Sequence, residues 1–256
     1  ALDESFTVGL LTDQAKSGQS QFVKAPHLPK NSREISYHRV RIETQSGWSE
    51  WSNTHVHETG LLTGSELIGD AIGDKSAATD PATLLRTTFT IAKPVAKARL
   101  YATAHGTFDV MINGAKAGNH ILAPGWTPYQ HRLLVETHDV THYLIDGENA
   151  FGVLLTDGWY RGKMSFFNML NNYGEHTSFL GQIEIEYEDG TTETIATDSN
   201  WKTATGGVRF ASIYDGTTMD MTMAQVAWCK PGFDASEWSA VTLREINKSI
   251  LEPLSA

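Results

Sequence analysis

Short predicted strands, frequent turns and almost no helical periodicity indicate an all-β protein made of antiparallel sandwiches. Segments in which apolar and polar residues alternate recur along the chain, as expected for strands with one buried face. Glycine, which favours turns, occurs 22 times in 256 residues. With 40% hydrophobic residues, a chain of this length can bury the core of one large domain or of two smaller ones.

The expected strands are short and closely spaced. They cover residues 6–11, 36–44, 54–58, 83–90, 98–104, 107–112, 132–137, 150–155, 179–187, 191–197 and 220–228. Asn113-Gly114 and Asp189-Gly190 lie between such segments, and both pairs favour the positive φ angles of tight hairpin turns. Residues 139–145 predict one helical turn at most.

Arginine and tryptophan side chains are concentrated near the end of the first region. Arg39 and Arg41 share one face of a predicted strand, and Trp48 and Trp51 follow shortly after it. A guanidinium group stacks favourably on the face of an indole. We therefore predict a structural ladder of these four side chains.

The formal net charge of −10 excludes several classes of partner. Nucleic-acid binding needs a basic surface that neutralises phosphates, and docking on an anionic membrane needs one as well. No apolar run approaches the roughly 20 residues of a membrane span. The one cysteine, Cys229, excludes an intrachain disulfide and a cysteine-rich zinc module. The sequence leaves open whether the protein is cytoplasmic or secreted.

Several runs, in order along the chain, carry a family resemblance. They lie at 98–101, 112–114, 124–129, 143–149, 152–162, 199–202 and 230–238. The most specific is Gly-Val-Leu-Leu-Thr-Asp-Gly-Trp-Tyr-Arg-Gly at 152–162. Together they resemble the N-terminal module of bacterial α-L-rhamnosidases, a family whose catalytic domain is an (α/α)6 barrel. Some members of that family use the module for calcium-dependent rhamnose binding.

The resemblance implies two β-sandwiches that precede a catalytic domain. Residues 1–62 are expected to form a fibronectin III-like domain, short enough that an early strand is expected upstream. Residues 63–82, rich in Gly, Asp and Ser, predict a linker, and residues 83–241 predict a jelly-roll, galactose-binding-like domain. Residues 242–256 are expected to lead to a downstream catalytic domain of the same chain. The whole enzyme would hydrolyse terminal α-L-rhamnosides with inversion.

A loop in the most specific run is the best candidate for ligand binding, because Asp157, Trp159, Tyr160 and Arg161 lie there together. A carboxylate accepts hydrogen bonds from sugar hydroxyls or ligates calcium, and an indole stacks on the apolar face of a pyranose. The resemblance implies L-rhamnose or a rhamnose-containing glycan as ligand, and calcium at Asp157 as cofactor. The glycine after Asp157 argues against calcium, because it withholds a second side-chain oxygen. The alternative is that the rings are core and Asp157 shapes the turn.

A second polar loop, at 168–176, follows closely. Its Asn172, Tyr173 and Glu175 offer amide, hydroxyl and carboxylate groups that suit sugar hydroxyls, so we predict that it forms the other wall of the pocket. The alternative is an ordinary surface loop. No acidic residue sits in a recognisable catalytic motif, so no catalytic residue is predicted. The sequence thus favours a non-catalytic sugar-binding chain, with a purely structural scaffold for the catalytic barrel as the alternative.

Other candidate sites have weaker support. Trp126 and Tyr129 can form a stacking platform, but large aromatics are mostly buried for packing, so we favour a hydrophobic plug under a proline-rich loop. His55 and His57 share one face of a strand, yet no third metal ligand is evident. Cys229 has no basic neighbour in sequence, which argues against a catalytic thiol.

Overall fold

The computed structural model describes residues 1–2, 4–7, 9–18, 29–165 and 168–254. The chain divides into two compact units, Ala1–Leu62 and Thr63–Ala256. Strands are the main regular elements in the described part of both units, which confirms the predicted all-β class. Within the described residues, no helix has the length and apolar character needed to cross a membrane.

The first unit contains two antiparallel strand pairs in its described part. Its strands are β1 (Ile35–His38), β2 (Glu43–Thr44), β3 (Gly47–Trp48) and β4 (His55–Glu58). β1 pairs with β4, and β2 pairs with β3. The strand predicted at 36–44 is therefore broken, because serine hydroxyls replace ladder partners there: the amides of Val40 and Ile42 donate to Ser52 Oγ and Ser49 Oγ. In the strand predicted at 6–11, Val8 lies outside the described residues and the others are not in a strand.

The predicted arginine–tryptophan ladder is confirmed. The Arg41 guanidinium lies 4.6 Å from the ring centroids of both Trp48 and Trp51. Arg39 lies 4.9 Å from the Trp51 ring. Both indoles remain 43% exposed, so the cations cover ring faces that water would otherwise contact.

The second unit is the larger sandwich. Its strands are β5 (Ala71–Gly73), β6 (Thr83–Ile91), β7 (Val95–His105), β8 (Thr107–Ile112), β9 (Ala115–Lys116), β10 (Leu133–Asp139), β11 (Gly147–Thr156), β12 (Ser178–Tyr187), β13 (Thr192–Ala196), β14 (Lys202–Thr205), β15 (Val208–Ser212), β16 (Gly216–Met219), β17 (Ser239–Ala240), β18 (Thr242–Arg244) and β19 (Leu251–Pro253). In the described part of this unit, helical structure is limited to α1 (Gly158–Arg161) and short 3-10 turns at Gly64–Glu66, Thr141–Tyr143, Met221–Met223 and Lys248–Ile250.

Two sheets of this unit share one core. The first has the order β18-β5-β12-β7-β10-β19, with β13 also paired to β12, and the second has the order β17-β14-β6-β11-β8-β9. Among the described strands, β10 and β19 are the parallel pair and the other neighbours are antiparallel. The hairpin β15–β16 forms a separate small sheet. This is the predicted sandwich.

Aromatic rings join the two sheets through the core. Phe151 of β11 meets Phe179 of β12 and Trp201 edge-on, with ring centroids 6.3 and 4.8 Å away. Phe151 and Phe179 have no exposed surface, and Trp201 is 1% exposed. Edge-to-face contacts add to the burial energy of such rings, so these three side chains fix the spacing of the sheets.

Both predicted hairpins form. Asn113 and Gly114 have φ angles of 52° and 86°, as a tight primed turn between β8 and β9 requires. In the second pair, Gly190 has a φ of 79° but Asp189 does not enter the left-handed region, so a longer loop closes the β12–β13 hairpin. The helical turn predicted at 139–145 is the 3-10 turn that begins at Thr141.

Two segments that the sequence placed outside the sandwich belong to it. Within the predicted linker 63–82, β5 pairs with both β12 and β18. Within 242–256, β18 and β19 extend the same sheet. Ala71, Ile72 and Leu251 are buried there, and the linker prediction failed because such short apolar runs show no visible alternation.

The strand predicted at 220–228 is wrong. Residues Met221–Met223 form a 3-10 turn, and Asp220 caps it by accepting a hydrogen bond of 2.9 Å from the Thr222 amide. An aspartate that binds the backbone two residues ahead offers that backbone an alternative to a strand ladder.

Candidate functional site

The candidate loop begins where β11 ends, at one end of the sandwich. Thr156 pairs with Thr107 of β8, and their hydroxyls lie 2.6 Å apart. Asp157 then turns the chain into the single helical turn α1. The sequence predicted a loop here, and the helical turn brings residues four apart onto one side, so Asp157 and Arg161 face each other.

Asp157 and Arg161 form a buried ion pair. Asp157 is 6% exposed and Arg161 is 2% exposed. Asp157 Oδ1 accepts from Arg161 Nε and Nη2 at 2.7 and 2.6 Å. The Thr79 amide donates to Asp157 Oδ2 at 2.9 Å, and Arg161 Nη1 donates to the Ser76 carbonyl at 2.6 Å. The pair therefore ties α1 to the segment that precedes β6.

This geometry revises the roles that the sequence suggested for both residues. Both carboxylate oxygens of Asp157 already accept hydrogen bonds from the protein, and the guanidinium of Arg161 offsets the carboxylate charge. Calcium prefers six to eight oxygen ligands with uncompensated charge, so the donor set at Asp157 does not fit calcium. The two buried side chains stabilise the conformation of the loop through these hydrogen bonds.

Six aromatic rings on α1 and on neighbouring segments form an aromatic cluster. Its members are His105, Trp126, Tyr129, Trp159, Tyr160 and Tyr173. Trp126 and Trp159 stack nearly parallel, with an interplanar angle of 10° and centroids 6.2 Å apart. Tyr160 stacks on His105 at 4.3 Å. The cluster thus joins the end of β7, α1 and two loops.

The outer side of the cluster is open to solvent. Trp126 is 53% exposed, and Trp159 and Tyr173 are half-buried. Trp126 Nε1 donates to the Tyr173 hydroxyl at 3.1 Å, which leaves the phenolic proton of Tyr173 free to donate outward. We call Trp126, Trp159 and Tyr173 the aromatic face.

The loop 168–176, which the sequence predicted as the other wall of a pocket, binds α1 through backbone hydrogen bonds. The Tyr173 amide donates to the Tyr160 carbonyl at 3.1 Å, and the Asn171 amide donates to the Arg161 carbonyl at 2.8 Å. Asn172 is half-buried and donates its side-chain amide to the Met169 carbonyl at 3.2 Å. Glu175 is exposed on the same loop. The structure therefore places Tyr173 against Tyr160 and Trp126.

Three rings of the cluster, His105, Tyr129 and Tyr160, favour their uncharged forms. Burial lowers the pKa of His105 to about 4. Burial also raises the pKa of Tyr129, together with the neighbouring Tyr173 and Tyr160, and burial raises that of Tyr160. At neutral pH these three rings carry no charge. The cluster is therefore suited to an uncharged ligand.

Trp126 is more exposed than the sequence predicted. Tyr129 is 3% exposed, as expected for a plug, but Trp126 of the same loop is half exposed. The sequence gives no signal for this difference, because both rings lie in one proline-rich run without periodicity. The exposure of Trp126 depends on how the 168–176 loop packs beside it.

Cys229, His55 and His57 were the weaker candidates in the sequence. Cys229 is 3% exposed, and burial raises its pKa to about 11, so its thiol stays protonated and weakly nucleophilic. His55 and His57 are exposed on β4. Among the described residues they belong to no group of three or more ligating side chains.

The Asp157–Arg161 pair makes a prediction about stability. Replacing Asp157→Asn leaves the buried Arg161 guanidinium without a counter-charge, so we expect the free energy of unfolding of the second unit to fall by about 3–5 kcal/mol. Urea denaturation followed by circular dichroism measures this. Asp215→Asn is the control, because it removes the exposed partner of Lys163 and should cost about 0–1 kcal/mol. Equal losses in the two variants contradict a supporting role.

His105 makes a prediction about pH. Its folded pKa of about 4 lies below the ordinary value of 6.5, so its stabilising contribution is complete above about pH 6.5 and is lost as the pH falls towards 4. We expect a loss of up to about 3 kcal/mol over that range. His105→Gln should flatten the pH dependence of unfolding, whereas the exposed control His131→Gln should leave it unchanged. Identical profiles for both variants contradict the assignment.

Known proteins resemble this chain over most of its length. A family model for the alpha-L-rhamnosidase N-terminal domain matches residues 93–256. An alpha-L-rhamnosidase of Alteromonas sp. (strain LOR) is 37% identical over 252 residues, which cover 91% of this chain and 27% of that protein. The chain thus spans about a quarter of the length of the curated relatives it matches.

Solved structures agree. The native alpha-L-rhamnosidase of Aspergillus terreus superposes with a TM-score of 0.87 and 33% identity, over 93% of this chain and 29% of that chain. The Streptomyces avermitilis alpha-L-rhamnosidase complexed with L-rhamnose gives a TM-score of 0.65 and 30% identity, over 84% of this chain and 23% of that chain. This chain therefore belongs to the alpha-L-rhamnosidase N-terminal domain family.

Proposed function

We propose that this chain is a non-catalytic, sugar-binding part of an α-L-rhamnosidase and that it binds L-rhamnose or a related sugar on the aromatic face. The observation that carries the proposal is the exposed, parallel stack of Trp126 on Trp159. A relative of known structure was solved with L-rhamnose, which supports this choice of sugar. In this proposal, hydrolysis is carried out by the part of the relatives' length that this chain does not span.

The chemistry of rhamnose suits such a face. The sugar is a 6-deoxyhexose, so its methyl group and ring C–H bonds form an apolar side. Burial of apolar area contributes roughly 25 cal/mol per Å², and an indole offers a large flat surface for it. The hydroxyl of Tyr173 can donate to a sugar oxygen, and the amide of Asn172 and the carboxylate of Glu175 lie on the same loop.

The proposed binding does not use calcium. The carboxylate of Asp157 is buried and paired with Arg161, so it acts by holding α1 and the aromatic face in place. A calcium-dependent mode would need oxygen ligands from elsewhere in the chain. Titration with EDTA present separates the two modes, because affinity should be unchanged if binding is by stacking.

The aromatic face makes the main functional prediction. Trp126→Ala and Trp159→Ala should each weaken L-rhamnose binding by about 10-fold or more, because each removes a stacking surface. Isothermal titration calorimetry on the folded chain measures this. L-mannose, which carries a hydroxyl in place of hydrogen at C6, should bind more weakly than L-rhamnose because the hydroxyl loses water on an apolar surface.

Trp48→Ala is the matched control. Trp48 is 43% exposed in the first unit, so its removal tests for non-specific sugar–indole contact. It should leave the affinity unchanged. Absence of heat with L-rhamnose at millimolar concentration, with and without calcium, contradicts the proposal.

A structural accessory role is the second candidate, and a specific observation favours it. Four apolar side chains that follow β15 are at least half exposed: Met219, Met221, Met223 and Val226, with exposures of 58%, 70%, 50% and 83%. Apolar side chains concentrated in this way often mark a protein contact. In this reading they pack against the remaining length of the rhamnosidase.

The accessory role makes its own prediction. Replacing Met219, Met221 and Met223 by Ser should lower the fluorescence of a hydrophobic dye bound to the chain, because the exposed apolar area shrinks. Rhamnose affinity should stay as in the unsubstituted chain. Undiminished dye binding contradicts the accessory role and leaves the sugar-binding proposal untouched.

A further inference from the structure

His120, Glu136 and His138 form a cluster of potential metal ligands. Glu136 and His138 are two residues apart on β10, so their side chains point to the same face of the sheet. His120 reaches them from the loop after β9. Among the residues that the structure describes, this is the group of His, Cys, Asp and Glu side chains whose ligand atoms all lie within 4.8 Å of one another.

The spacing of the ligand atoms is close to that of a metal site. His138 Nε2 lies 2.8 Å from Glu136 Oε2, and His120 Nδ1 lies 3.1 Å from Glu136 Oε1. Tetrahedral zinc with bonds of about 2.0–2.2 Å separates its ligand atoms by about 3.3–3.6 Å. Small rotations of the side chains would bring the three atoms to that spacing.

Among the described residues, the basic partners of the Glu136 carboxylate are the two imidazoles. The Glu136 side chain is 4% exposed. The nearby Lys116 already pairs with Asp109 at 2.5 Å, so the charges of those two side chains offset each other. A buried carboxylate is costly unless it is paired or coordinates a metal. A divalent cation between the imidazoles and Glu136 would pair with this buried carboxylate.

The surrounding structure leaves room for an ion and holds the ligands in place. A cavity of about 10 Å³ is lined by all three side chains, which is about the space of a single water molecule. The backbone at Gly118 packs so closely on the His138 ring that an added Cβ would lie 2.4 Å from it. His120 is 44% exposed, so an ion can enter from its side.

We propose that His120, Glu136 and His138 bind a zinc ion. Two imidazoles and one carboxylate are a ligand set that zinc takes in proteins, with water in the fourth position. The ion would replace the two hydrogen bonds between Glu136 and the imidazoles. It would fasten the loop that carries His120 to β10.

Zinc titration of the whole chain tests the site. After dialysis against EDTA and then against metal-free buffer, competition with a chromophoric chelator should show one equivalent of zinc bound with a Kd of about 1 µM or tighter. His138→Gln and Glu136→Gln should each weaken that binding by more than about 100-fold. Cobalt should give visible ligand-field absorption in the unsubstituted chain and lose it in both variants.

Two further variants distinguish a loss of zinc binding from a loss of folding. His120→Gln removes a proposed ligand and should therefore lower zinc affinity. Because the side chain is exposed, circular dichroism should show an unchanged fold. His131→Gln is the matched control, since His131 is exposed on the same β9–β10 connection and should not affect affinity. Zinc should raise the melting temperature of the His131→Gln variant but not of the His120→Gln variant.

Other outcomes overturn the proposal. Absence of stoichiometric zinc binding shows a hydrogen-bonded His–Glu–His group only. Binding that survives in all three cluster variants and disappears when His55 and His57 are both replaced by Gln assigns the zinc to surface histidines of the first unit.

Discussion

The buried ion pair between Asp157 and Arg161 holds one end of the larger sandwich together. Asp157 fastens α1 to the Thr79 amide, and Arg161 binds the Ser76 carbonyl and, through its own carbonyl, the second loop. Because both side chains are almost fully buried, removal of either one leaves the other as an uncompensated buried charge. The positions of Trp159 and Tyr173 follow from this constraint.

In the proposed function, one group of rings serves both packing and recognition. Tyr129 is buried and Tyr160 is half-buried, and burial disfavours their charged forms. Trp126 and Trp159 present a flat, uncharged surface to solvent. A net charge of −10 repels anions from the molecule as a whole. These properties together fit a neutral ligand with an apolar side, and they require no catalytic group.

Sequence patterns predicted most of the strands because a half-buried strand must alternate, and they predicted the Asn113-Gly114 turn because few residues accept its φ angles. They failed at residues 71–73, where a strand of three residues is too short to alternate, and at 220–228, where Asp220 caps a turn. For the candidate site, the sequence singled out the loops of Trp159 and Tyr173 but could not separate ligand contact from support. Asp157 looked free because its partner Arg161 becomes a neighbour only when the loop forms a helical turn.

In the proposed function, a sugar lies on the stacked indoles of Trp126 and Trp159. Nuclear magnetic resonance of the indole N–H groups, assigned by single Trp→Phe variants, follows each of the seven tryptophans separately. During titration with L-rhamnose, the signals of Trp126 and Trp159 should shift together along one saturation curve, while that of buried Trp201 stays fixed. Shifts confined to Trp48 and Trp51, or no shift at saturating sugar, would contradict sugar binding at this face.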